Sequence, residues 1–293
     1  MSEQLFTRLL DRSVLEISGK DARRFLQGLV SNDIEKVSEE RAIYGAFLTA
    51  QGKYLHDFFI TTIGSRLLLD CEASRIEDLY RRLKIYKLRS NVEIIITDAY
   101  QVLALFGAGA LISLELPEKA GAAKFFENGI VYTDPRLALA GARCILPNES
   151  IGKVISAGFS EASDDRYQRH RISLGLPDSS RDMEVEKSIL LEGGFEELNG
   201  VDFKKGCYMG QELTARTKFR GLIKKRLMPV NIQGAKLSPG TVIKQNGKTV
   251  GELRSTSGDL GMAVIRLEAL EKSDVLTASD TLVVPKKPKW VNF

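Results

Sequence analysis

The sequence is short of the residues that most enzyme chemistry leans on. Among 293 residues there are three cysteines, two histidines and one tryptophan. Cys71, Cys144 and Cys207 each stand more than sixty residues from the next. That excludes a CxxC pair and a disulfide framework, and it fits a reducing compartment. With only His56 and His170, a histidine-rich metal site or a Ser–His–Asp hydrolase is a poor reading. No apolar run approaches the roughly 18 residues of a membrane-spanning helix. The opening stretch carries Glu3 and Asp11 and lacks the apolar core of a secretory signal; it is also a poor mitochondrial presequence. The expected location is the bacterial cytoplasm, or the mitochondrial matrix for a processed eukaryotic chain. Neither sign of charge is in large excess. The 42 bases oppose 38 acids for a net +4, too little in itself for a nucleic-acid binder.

What is present describes a soluble protein with a sizeable core, 43% hydrophobic and 27% charged. At about 150 residues per domain the length implies two domains, or three small ones. Residues 1–98 alternate strand and helix signals. Strands are predicted at 14–17, 44–49, 54–62, 66–70 and 92–96, with a turn at Gln51-Gly52-Lys53. A helix over 21–30 places Phe25, Leu26, Leu29 and Val30 on one face and stops at Ser31-Asn32-Asp33. A second, carrying Ile76, Leu79, Tyr80 and Leu83, is expected to be capped by Ser74. The order β-α-β-β-β-α-β predicts an antiparallel sheet backed by two helices, an α+β layer. Residues 99–222 repeat this grammar less clearly, with strands at 102–106 and 142–146 and helices at 117–126 and Asp164–Leu174. Residues 176–203 read as loops. In 223–293 short strands at 226–232, 241–244, 249–254 and 261–267, punctuated by Asn246-Gly247, predict a small β-barrel or sandwich.

The charge is unevenly spread. Residues 204–226, KKGCYMGQELTARTKFRGLIKKR, hold eight bases and one acid. That stretch carries +7, leaving −3 for the rest of the chain. Cys207 lies inside it, where ammonium neighbours would favour a thiolate. Glycines on either side permit tight turns or close approach of a ligand, and Gln211 and Glu212 suit the start of a helix near Leu213. Two readings stay open on the residues alone: a reactive thiol, or a small buried residue in a connecting turn with solvated lysines.

Lys205-Gly206-Cys207-Tyr208-Met209-Gly210-Gln211-Glu212 resembles the signature octapeptide of the YgfZ-type folate-binding proteins. These belong to the glycine-cleavage T-protein-like superfamily and act in iron–sulfur cluster assembly. The flanking Asn199-Gly200-Val201-Asp202-Phe203 and Leu213-Thr214-Ala215-Arg216-Thr217 resemble the CAF17-like, mitochondrial-type branch. Gly19 to Gly28, Ser31-Asn32-Asp33, Gln51-Gly52-Lys53 and 167–177 also fit, so the resemblance spans nearly the whole chain. It implies an α+β, T-protein-like fold: two ferredoxin-like α+β units, 1–98 and 99–222, and a C-terminal barrel, 223–293, around a central channel. It further implies tetrahydrofolate or another reduced folate as ligand. Asn32, Asp57, Tyr167, Arg169, Arg171, Asn199 and Arg216 are the candidate contacts, with Arg166 a further cation on the same helix; the other reading of these helix arginines is an exposed face.

Departures from the family separate an assembly factor from an enzyme. Aminomethyltransferases of this fold carry two consecutive acids after the glycine hairpin, where this chain has His56-Asp57. Ser173, after Arg171, stands where those enzymes hold a pterin-anchoring glutamate. A neutral histidine cannot inherit a carboxylate's role. The resemblance therefore points to a non-catalytic factor for assembling or maintaining iron–sulfur, chiefly [4Fe–4S], clusters on client enzymes. Cys207 is its key thiol and a transient ligand or redox partner. No stably bound metal is expected, because clusters usually need about four cysteines. Expected partners are iron–sulfur assembly proteins and client enzymes, with no membrane. A folate-dependent one-carbon transferase is the alternative, and an RNA-modification accessory protein using the basic strip the third.

Overall fold

The computed structural model describes residues 3–221, 223–272 and 274–291. Leu222, the expected end of the second segment, lies outside the described residues. The chain forms two compact units, neither continuous in sequence. One holds the residues up to Leu48, Leu55–Tyr167 and Leu198–Met209; the other holds Thr49–Tyr54, Gln168–Glu197 and the residues from Gly210 onward.

The first unit contains two sheets. The five-stranded sheet runs Ile43–Leu48, Tyr54–Ile63, Arg66–Glu72, Arg12–Ser18, Glu93–Thr97. Tyr54–Ile63 is buried on both faces, so Asp57, Phe59 and Thr61 share one interior face and His56 and Phe58 the other. Helix α1, Ala22–Gln27, is shorter than its signal because Leu29 and Val30 continue as turn and bridge. Helix α2, Ile76–Lys87, buries Ile76, Leu79 and Leu83 and packs against Arg12–Ser18 and Glu93–Thr97. Ser74 does not cap it: its hydroxyl bonds Glu72, and Arg75 holds the cap position without a side-chain bond to the helix's first amides.

The six-stranded sheet runs Ser160–Glu161, Leu5–Arg8, Tyr100–Phe106, Ala142–Pro147, Gly129–Thr133, Ala123–Phe126. Its core gathers Phe6, Leu103, Leu105, Val131, Cys144 and Leu146. The helix expected at 117–126 is absent. Gly121 sits at φ +81°, and Glu127 and Asn128, at +47° and +62°, turn Ala123–Phe126 back onto Gly129–Thr133. Two consecutive positive φ values make the turn that two-residue hairpins prefer.

The second unit contains a closed barrel in the order Lys225–Gln233, Leu260–Arg266, Lys248–Ser257, Val242–Gln245, Leu276–Ala278, Thr281–Pro285. Val230, Ile243, Leu253 and Ile265 fill its core. The four predicted strands are present, and Asn246-Gly247 turns the expected hairpin. The last two strands escape sequence patterning because they are short and turn on Ser279-Asp280.

Candidate functional site

The loop carrying Cys207 is fastened to the end of α1 from both sides of the thiol. Upstream, Ser31 Oγ donates to the Gly200 carbonyl at 2.6 Å and the Asp202 amide to the Ser31 carbonyl at 3.0 Å. Asn32 Nδ2 divides its two N–H groups between the carbonyls of Tyr44 and Asn199, both at 2.7 Å. Asn199 takes φ +56° and donates to the Pro135 carbonyl at 3.1 Å. The Asp202 carboxylate accepts the Lys204 and Lys205 amides and pairs with Lys36. Partial burial pushes its pKa up, but Lys36 and the amide donors outweigh that and hold it below the ordinary range.

Lys205 is the staple. Its ammonium donates to the carbonyls of Gln27, Val30 and Asn32 at 2.9, 2.5 and 2.7 Å. Three donors meet three acceptors at a helix end that would otherwise leave carbonyls unpaired. Burial lowers the lysine pKa to about 8, against the pull of Asp33 and Asp202. The Tyr208 ring lies 5.2 Å from the ammonium and is itself buried, and the Met209 amide donates to the Gly28 carbonyl at 3.0 Å. Lys205 and Tyr208 thus face inward, while Gly206 and Cys207 between them are exposed. Of the motif glycines, only Gly210 needs to be glycine on conformational grounds. It sits at φ +79° at the start of Gln211–Phe219, whereas a Cβ on Gly206 would meet nothing within 4 Å. Gln211 and Glu212 open that helix, two residues earlier than expected.

The basic strip is less available than its total implies. In the second unit Lys218 pairs with Glu196, Lys225 with Glu192 at 3.8 Å, and the buried Arg226 with Glu197 and the Leu191 carbonyl. Lys204, Arg216, Arg220 and Lys224 stay exposed. The sequence sum missed this because its neutralising acids lie in 192–197, outside the counted stretch.

A second cluster fills the interior of the first unit. Tyr44 Oη donates to Asp57 at 2.7 Å. Asp70 receives Arg12 at 2.6 Å and Arg143 at 3.0 and 2.5 Å, and Arg136 makes a bidentate contact with Asp134 at 3.0 and 2.8 Å. The guanidinium groups of Arg143 and Arg136 lie 4.1 and 4.8 Å from the centre of the Phe59 ring. Burial pushes the Asp134 carboxyl up, but Arg136 overrides it and holds it low; burial and the Asp57 charge push the Tyr44 phenol up. Sequence reasoning missed Asp70, Arg143 and the Asp134–Arg136 pair. The available signal was a lone charge inside an apolar run, Leu-Leu-Leu-Asp70-Cys71 and Ala-Arg143-Cys144.

The residues named for folate are divided between the two units. Asn32, Asp57, Tyr167 and Asn199 lie in the first unit, and Arg169, Arg171 and Arg216 in the second. Among the described residues, all but Arg216 have internal partners for their side chains. Tyr167 Oη accepts from Arg143 at 3.2 Å, Arg169 bonds Asp259 and the Ser257 carbonyl, and Arg166 pairs with Glu3. Arg171 matches neither expectation, carboxylate anchor or exposed face. It is 2% exposed and spends its guanidinium on Asp182, Gln168, Ser255 and the Leu176 carbonyl. Within each unit, a ligand would have to compete with these internal partners. His56 is buried, with Nε2 2.9 Å from Asp78. Burial and Arg75 lower its pKa to about 4 against the pull of Asp78, so the imidazole is neutral at pH 7. Among the described residues no three His, Cys, Asp or Glu side chains gather as a metal site, and no helix is long and apolar enough to cross a membrane.

Comparison with known proteins places this geometry. Residues 11–124 match the GCVT N-terminal domain and 224–293 the CAF17 C-terminal beta-barrel domain. The crystal structure of glycine cleavage system aminomethyltransferase T from Bartonella henselae superposes with a TM-score of 0.80. It covers 99% of this chain and 86% of that one at 14% identity, a likeness of fold alone. The human mitochondrial iron-sulfur cluster assembly factor IBA57 is 33% identical over 97% of this chain and 84% of its own length. The mouse protein of the same name is 29% identical over 94% and 82%. The chain belongs to the IBA57 family of GcvT-like iron–sulfur cluster assembly factors.

Proposed function

We propose that this chain is an accessory factor in assembling or maintaining iron–sulfur clusters, chiefly [4Fe–4S], on client enzymes, with Cys207 as its working thiol. The observation that carries the reading is the stapled loop. Cys207 is exposed, while Cys71 and Cys144 are buried and burial pushes both thiols up, Cys71 to about 12. A thiolate is the form that ligates iron, and only Cys207 stands where a cluster on another protein can meet it. The cluster is cargo: this chain supplies one ligand and its partners the rest of the usual four or so. The partners are assembly proteins and client enzymes of a reducing compartment, the bacterial cytoplasm or the mitochondrial matrix.

The one-carbon transferase reading is weaker. His56 is neutral and buried, and the remaining acid, Asp57, already accepts from Tyr44. Folate binding rests on the fold alone and would require replacing the internal partners of Asn32, Asp57 and Arg171. Calorimetric titration with tetrahydrofolate tests it separately, since silence at millimolar folate removes the ligand and leaves the thiol untouched. The thiol is tested by complementation. In cells lacking the endogenous factor, Cys207→Ser is expected to leave a [4Fe–4S] enzyme inactive at normal protein levels. Full rescue by Cys207→Ser and Cys207→Ala would sink the proposal.

A further inference from the structure

Beside the Cys207 loop lies a groove of about 920 Å³ between the end of α1 and the end of α2, lined by Arg24, Phe25 and Gly28 at the first and by Tyr86, Leu88 and Arg89 at the second. Gly28 is the residue whose carbonyl takes the Met209 amide, and Lys205 bonds the carbonyls of Gln27 and Val30 beside it. The groove and the thiol therefore share one anchor.

Three features give the groove a chemistry. First, it is cationic. Arg24 and Arg89 are exposed and make no ion pair among the described residues. The one acid in the lining, Asp21, already accepts the Asn91 amide at 2.7 Å. Second, it is apolar between the charges. Leu88 is 86% exposed and Tyr86 42%, with Ile85 next to them at 69%. Third, it is built under strain: Leu88 holds φ +44°, ψ −113°, a conformation a bulky L-residue rarely adopts. That turn carries a leucine side chain into solvent at the groove's edge, where a folded chain alone gains nothing from it.

We propose that this groove seats an acidic segment bearing aliphatic side chains, belonging to the protein that exchanges a cluster with Cys207. Its carboxylates meet Arg24 and Arg89, and its apolar side chains cover Tyr86 and Leu88. A segment held there is delivered to the thiol at high effective concentration. The proposal rests on Cys207 being the working thiol and adds the chemistry of the partner.

The test uses the full chain and a synthetic dodecapeptide of alternating glutamate and leucine ending in a thiopyridyl-activated cysteine. The Cys207 thiolate attacks the activated disulfide, a mixed disulfide forms and 2-thiopyridone leaves, so its absorbance reports the rate. The wild-type protein is expected to couple at least tenfold faster than R24E/R89E, and a lysine-for-glutamate peptide to lose that advantage. In cells, R24E/R89E is expected to lower [4Fe–4S] enzyme activity at least fivefold at unchanged Tm, with R24K/R89K restoring it. Should the reversal perturb folding, R24Q/R89Q carries the same comparison. Equal coupling by wild type and R24E/R89E, or faster coupling of the lysine peptide, would overturn the proposal. So would full rescue by R24E/R89E. If R24E/R89E rescues and C207S does not, the groove is wrong and the thiol reading stands; if C207S rescues, that reading fails first.

Discussion

Inside the first unit, Asp57, Asp70 and Asp134 are each 3% exposed or less, and every one of them meets a tyrosine or an arginine. At the Cys207 loop of the same unit the cysteine stands in solvent, and its flanks are held by Lys205 and Tyr208. The first arrangement is closed on itself: a buried pair is costly to break and has little left to offer a ligand. The second is open, with its energy invested in position. The difference teaches where to look for function in a chain whose fold resembles an enzyme's. On the proposed function, the interior carboxylate is a structural residue and the chemistry sits on a surface thiol held by its flanks.

The comparison can be broken most severely from the interior. Asp70→Ala leaves Arg12 and Arg143 as buried charges without their counter-ion, and we expect a loss of about 3–5 kcal/mol in urea unfolding. A loss under about 1 kcal/mol would mean the cluster is not closed. His56 gives the next largest effect. Its native pKa of about 4 lies below the ordinary 6.5, so the unfolded chain binds the extra proton as pH falls between them. The stability it contributes is present at pH 7 and is lost between pH 6.5 and 4, about 3 kcal/mol at most. His56→Gln should flatten that part of the stability–pH curve. Lys205→Met removes three charge-assisted hydrogen bonds and is expected to cost about 2 kcal/mol. It should also speed amide exchange at Gly206–Met209, while exchange in the barrel core slows or speeds only with global stability. The mildest probe is labelling. Ellman's reagent is expected to modify one thiol in the native protein and three in urea, and Cys207→Ser should abolish the native reaction.

Much of the fold was legible in the sequence because its signals are local. Phe25 and Leu26, or Ile76, Leu79 and Leu83, recur at helical spacing, and Asn246-Gly247 marks its own hairpin. Segment 117–126 misled because its apolar residues suit a helix, while the hairpin depends on Glu127 and Asn128 adopting positive φ, which neither residue type demands. The site divides in the same way. The octapeptide marks the Cys207 loop, but nothing in it says that Lys205 bonds three carbonyls more than 170 residues away. The arginines of Asp164–Leu174 look alike in sequence, yet Arg171 is buried on Asp182 and Arg166 is exposed beside Glu3. Partners distant in sequence decide those roles.

Cys207→Ser and Asp57→Asn, compared side by side in cells lacking the endogenous factor, test the central claim most directly. The amide oxygen that replaces the Asp57 carboxylate can still accept from Tyr44, so neither substitution removes the fold, and each strikes one of the two regions. The account predicts that the activity of a [4Fe–4S] enzyme is lost with Cys207→Ser and kept within about twofold with Asp57→Asn. Rescue by Cys207→Ser together with failure of a stably folded Asp57→Asn would contradict it and return the chemistry to the interior.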